Sequence, residues 1–274
     1  MKNMKHPLLH YFGNIFGRSP SPLEENQRFV LFEGRNTEQM PKLIKNGRVP
    51  ISFAGLMQRR LEVLNSNASQ EVKDSLWNTS FDTGDAPAYD TQGNMKVVLD
   101  AQLLRKLTPK SKLLKGALVL PEGTYASLQG EEFTQEQLAQ YAGKRLNKRQ
   151  LVDNPMWVSL ARGNKTLLAE YGTAAFARAK EFGYDTAMGI VVDSPFVPSL
   201  QEKENMRLWV VGVDDYLFGA GGDVSLDEVY GRLVGIAPEA LEGALSLEED
   251  TLEGRLSLTR TPDGNLNLLS KFSK

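Results

Sequence analysis

A chain of 274 residues without a single cysteine must be held together by burial and hydrogen bonding alone. Disulfides, thiolate nucleophiles, Cys-ligated zinc and iron–sulfur clusters are all removed at once. An apolar share of 41% with 24% charged residues is ordinary globular usage, so a sizeable core is expected. Histidine is nearly as scarce: His6 and His10 are the only two, on either side of Pro7. A histidine general base, a Ser-His-Asp triad and His-rich metal sites are therefore not expected in the main body. Any reaction there must use oxygen acids, amines or guanidinium. The longest apolar runs, such as Met206 to Val213, are far too short to span a bilayer. The opening stretch lacks the small-residue site of a secretory leader. A cytoplasmic protein is the expectation.

The elements alternate without a fixed rhythm, which predicts an α+β fold: a mixed, largely antiparallel sheet with packed helices and a C-terminal β-hairpin. Residues 1–27 are expected to be a loosely ordered lead-in, and 28–274 a globular unit. An internal boundary, if there is one, falls near 144–154, around the basic run Lys144, Arg145, Lys148 and Arg149. Strands are predicted at 28–33, 95–99, 117–120, 186–192 and 206–213 from β-branched and aromatic enrichment. Helices are predicted behind Thr37, over 52–64, from the capping box Thr134-x-x-Gln137 to about Leu146, behind Asn154-Pro155, and over 165–182. Ser225-x-x-Glu228 reads as a further capping box, Asn78 to Tyr89 as turns, and the last strands as a hairpin about Thr261-Pro262-Asp263-Gly264.

Charge divides along the chain. Residues 1–150 hold 21 Lys+Arg against 15 Asp+Glu, and residues 151–274 hold 11 against 19. The segment Arg105, Lys106, Lys110, Lys112, Lys115 is a basic patch that nucleic acid could use, although a net charge of −2 does not favour that partner. Three groups could carry chemistry. Asp193, Asp214 and Asp215 stand at predicted strand ends and could hold Mg²⁺, a hard cation that takes oxygen ligands. That needs the two strands to run parallel; a hairpin, expected because no clear crossover helix lies between Asp193 and Arg207, would put the acids at opposite ends.

Asp82-Thr83-Gly84 resembles the catalytic signature of aspartic proteases, where two carboxylates share a proton. No second copy is present in the sequence. Arg35, then Asn78-Thr79-Ser80, then Gln129-Gly130-Glu131 together resemble the mono-ADP-ribosyltransferases over about residues 28–133. That resemblance implies Arg35 for the dinucleotide phosphates, Ser80 for support, Gln129 for substrate and Glu131 for the ribose and developing cation. It departs from the pattern at Asn78, where that family has serine. The expected function is a binding or interaction protein without His or Cys chemistry. The alternative is a carboxylate-based enzyme, either such an NAD-dependent transferase or a Mg-dependent hydrolase.

Overall fold

The computed structural model describes residues 29–181, 183, 187–192, 202–212 and 218–237, and the strand residues 258–260 and 266–268. Among them are eight helices with mixed and antiparallel sheets, the α+β class expected. The first strand, β1 (Phe29–Glu33), pairs antiparallel with a strand from far along the chain, β13 (Arg232–Ile236), in a register running from Phe29↔Ile236 to Glu33↔Arg232. On its other side β13 meets β2 (Val49–Pro50) and, in parallel, β3 (Phe81–Asp82). This sheet continues through β11 (Val210–Val211) and β12 (Ala220–Gly221) to β9 (Ile190–Val191). A second, wholly antiparallel sheet orders β6 (Leu113–Leu114), β7 (Ala117–Val119), β10 (Asn205–Met206), β4 (Ala86–Tyr89), β5 (Met95–Val98) and β8 (Glu131–Phe133). The C-terminal hairpin pairs β14 (Leu258–Arg260) with β15 (Leu266–Leu268).

Helix starts follow local side-chain chemistry. Ser52 Oγ accepts the Gly55 amide at 3.0 Å to open α2 (Phe53–Leu64), which follows α1 (Asn36–Lys45). Ser69 caps α3 (Gln70–Trp77). After the one-turn α4 (Thr124–Ser127), the Thr134/Gln137 box opens α5 (Gln135–Tyr141). A second box, Asn147/Gln150, opens α6 (Lys148–Asp153), and Asn154 caps α7 (Pro155–Leu160). The long helix α8 (Lys165–Glu181) follows its expected span.

Four expectations need correction. Helix α1 starts two residues earlier than Thr37 as cap would allow, with Arg35 at the N-cap position and Thr37 buried inside. Helix α5 stops at Tyr141, because Gly143 turns at positive φ and its amide goes to Ile190 O. Residues 206–213 are not one strand: Met206 belongs to the second sheet and Val210 to the first. Ser225 opens a turn, not a helix.

That last strand break reveals how the sheets are joined. Asp82-Thr83-Gly84-Asp85 carries the chain from β3 in the first sheet to β4 in the second. Arg207-Leu208-Trp209 makes the return journey from β10 to β11. The two crossings run side by side. The Thr83 amide donates to Trp209 O at 2.9 Å, and the Trp209 amide to Asp85 O at 2.9 Å. The Thr83 hydroxyl donates to Trp209 O as well, at 2.8 Å. Gly84 sits where a Cβ would lie 2.9 Å from the Pro50 ring and 3.0 Å from its carbonyl. Only glycine lets the crossing approach β2 that closely.

Candidate functional site

The residues proposed for catalysis fall on two sheets. Arg35 follows β1 on the first sheet, where its Nε donates to Asp227 O at 3.2 Å and its Nη1 meets Glu38 at 3.4 Å. Ser80 precedes β3 on that same sheet, packed so closely to Gly212 that a Cβ there would strike it. Gln129 and Glu131 belong to the other sheet. Gln129 is exposed in the approach to β8, and Glu131 is exposed on that edge strand opposite Val97. The neighbouring Glu132, not Glu131, is the one that meets Lys96, at 3.8 Å. Arg35 and Glu131 thus stand on different sheets. The reason is topological: β8 pairs with β5 at the rim farthest from β6, whereas Arg35 is tied to the turn before β13.

Asp193, Asp214 and Asp215 lie outside the described residues. The strands leading to them run in opposite directions, since β9 is parallel to β12 and β12 is antiparallel to β11. They do not form the hairpin expected; β12 lies between them. Among the described residues no three acids or histidines gather closely enough to hold a metal ion.

The protease-like triplet is the sheet-to-sheet joint. Asp82 is buried and accepts from Asn36 Nδ2 at 3.1 Å and from the Arg232 amide at 2.6 Å. Asp85 accepts the Phe53 amide at 2.7 Å, the Asp100 amide at 2.7 Å and Arg162 Nη2 at 3.4 Å. These carboxylates therefore fix helix starts and turns. Burial pushes both above the ordinary aspartate range, against the pull of Asn36 and the Arg232 amide on Asp82, and of Arg162 and the two amides on Asp85.

A raised folded pKa means the native state binds the extra proton, so such a group's contribution to stability falls as pH rises through that window. The stability difference between the native protein and Asp82→Asn should therefore shrink from about pH 4 upward, by at most about 1.4 kcal/mol per pH unit. Urea midpoints of both proteins across that range measure it. A difference that stays flat or grows with pH would sink the assignment.

A further surface, of which the sequence reading found only the lysines, lies beside the connection from β12 to β13. Residues 222–231, between β12 and β13, form a turn pinned from several sides. Leu226 is fully buried; its amide donates to Gly116 O at 2.9 Å, and its carbonyl accepts the Thr37 amide at 3.2 Å. The buried Arg207 clamps two segments together, donating to Val224 O at 3.2 Å and to Lys115 O at 2.9 Å. The Gly34 amide closes the far end on Gly231 O at 2.9 Å. Gly116, at φ +79°, approaches Ser225 so closely that no side chain fits between them.

Residues 106–116 and 222–231 thus meet where 115–116 lies against 224–226, and the two segments together make a platform. From it project Val229, 48% exposed, and Tyr230, 77% exposed. Among the described residues Ile44, at the far end of α1, is the only other large apolar side chain so displayed. Lys106, Lys110, Lys112 and Lys115 are exposed on the first segment, and Asp223, Asp227 and Glu228 on the second. Arg105 is instead paired with Asp100. The sequence reading took 225–228 as a helix start and gave Tyr230 no role.

No protein-family model matches this chain, and no curated protein does. A solved structure reported for accommodation of massive sequence variation in Nanoarchaeota by the C-type lectin fold is similar to it, with a TM-score of 0.55. The two are 16% identical, and the match covers 76% of this chain and 96% of that one. The likeness is one of fold. No helix among the described residues is long and apolar enough to cross a membrane.

Proposed function

We propose that this chain is a cytoplasmic binding protein that docks a macromolecular partner on the platform of residues 106–116 and 222–231 and carries out no reaction of its own. The observation that carries this is Tyr230: a large aromatic held 77% exposed on a turn whose backbone is anchored at both ends. An aromatic side chain on a pre-ordered turn brings contact area at little entropic cost, the combination that binding surfaces favour. A rigid scaffold that positions exposed loops is the usual basis of recognition. The similar structure is described as accommodating massive sequence variation, and a fold whose joint is internally hydrogen-bonded suits that use. Arg35 and Glu131 standing on different sheets weighs against the transferase alternative.

Two measurements test the reading. A photoreactive residue at position 230 should give an adduct of defined mass with an identifiable partner, whereas the same residue at exposed position 149 should not. Incubation with labelled NAD should leave no label on protein. Equal adducts from both positions would remove the platform from consideration, and label transfer abolished by Glu131→Ala would restore the transferase.

A further inference from the structure

We propose that the partner on this platform is a second copy of the same chain, joined about a two-fold axis. This rests on the reading that the platform is a docking face, and it adds the identity of the occupant. The decisive feature is the separation of charge across the face. Residues 106–116 carry four exposed lysines and no acid. Residues 222–231 carry three exposed acids and no cation. The Leu226 amide on Gly116 O and the Arg207 clamp join the two segments where 115–116 meets 224–226. Much of this charge is left over: Lys106, Lys110, Lys112 and Asp223 have no ion pair among the described residues.

A face that is basic on one half and acidic on the other discriminates against partners of a single sign. A polyanion would meet the carboxylates, and a basic peptide would meet the lysines, each an unfavourable like-charge contact. The same face is complementary to itself. A two-fold rotation sets the lysines of each copy against the acids of the other, as an isologous interface requires. Val229 and Tyr230 supply apolar contact beside the acids. A stable interface takes roughly 20–30 residues from each side; these two segments with Arg35 offer 17 that are not buried, which suits a weak, reversible dimer.

Sedimentation velocity of the full chain over a concentration series tests this. The native protein should show a reversible monomer–dimer equilibrium that weakens as salt is raised. Lys110→Glu with Lys112→Glu should weaken dimerisation about tenfold or more, and so should Asp223→Lys with Glu228→Lys. An equimolar mixture of these two charge-reversed proteins should recover association in heterodimers. Circular dichroism and urea midpoints close to native would show that both variants fold.

A native chain that stays monomeric at every concentration overturns the proposal. So does a dimer indifferent to both reversals, or a mixture that fails to recover. If the chain is monomeric while position 230 still yields an adduct with a different protein, the docking reading stands and the second copy is wrong. If neither occurs, both fall.

Discussion

Asp85→Ala should lower folding stability by about 3–5 kcal/mol, among the largest effects of any single replacement in this chain. The side chain is fully buried and serves three elements together. One oxygen takes the Phe53 amide, the first of α2, at 2.7 Å. The other takes the Asp100 amide behind β5 at 2.7 Å and Arg162 Nη2 between α7 and α8 at 3.4 Å. Alanine would leave two amides without their acceptor, each costing about 1–3 kcal/mol if water cannot reach it.

Asparagine should not rescue fully. It offers one oxygen where two are used, and its NH₂ would face a donor. Arg162→Ala should cost the least of the three, because that guanidinium is 42% exposed and can be replaced by water. The expected order of loss is therefore Ala, then Asn, then Arg162→Ala, measured as urea unfolding at neutral pH. An Asp85→Ala protein within about 1 kcal/mol of native would show that the joint between the sheets does not depend on this carboxylate.

That joint also shows where sequence reasoning stops. Local signals were legible wherever the chain satisfies itself within a few residues. Ser52, the Thr134/Gln137 box and Asn154 all cap the helices they precede. Phe29 to Glu33 and Met95 to Val98 form strands as their composition implies. Asn78 to Tyr89 reads as turns because Asn, Asp, Gly and Pro recur in it, and it contains β3, β4 and the crossing between them. Its polar side chains are satisfied by Asn36, Phe53, Asp100 and Arg232, partners that no local window contains. The change of sheet between Met206 and Val210 is equally silent, since Leu208 and Trp209 are apolar on either reading. The Thr37 amide is taken by Leu226 O, so the helix there needs no side-chain cap, and the threonine was a false signal.

The candidate surface was hidden for a related reason. Its lysines were visible as a cluster, but their acidic neighbours come from the opposite half of the chain. The excess of cations in the first half and acids in the second becomes informative only once Gly116 and Leu226 are known to touch. Composition alone could not tell a self-complementary face from two solvated ones. The same topology that scattered Arg35 and Glu131 onto different sheets brought Lys115 and Ser225 together.

Arg60→Ala should be comparably damaging, at about 3–5 kcal/mol, for a different physical reason. This guanidinium is fully buried, and no carboxylate is among its hydrogen-bond partners in the described structure. Neutral oxygens hold it instead. Nη1 donates to the Tyr171 hydroxyl at 2.6 Å, and Nη2 to Thr79 O at 2.7 Å and Val211 O at 3.3 Å. The rings of Trp77 and Phe81 lie 5.7 and 5.9 Å away, close enough for their electron-rich faces to attract the cation.

One side chain from α2 therefore ties α8, through Tyr171, to the first sheet, through Thr79 ahead of β3 and through β11. Trp77 stacks on Tyr171 at 5.2 Å and completes the contact from α3. Removing Arg60 opens a cavity at the centre of this cluster and leaves three oxygens unpaired, so methionine, which fills the volume, should recover only part of the loss.

Tyr171→Phe removes one partner of a buried cation and should cost about 1.5–3 kcal/mol. If the hydroxyl acts through Arg60, the double variant should lose clearly less than the sum of the two singles. Strict additivity would mean that the 2.6 Å contact carries no coupling, and the helices would then be held on the sheet by apolar packing alone.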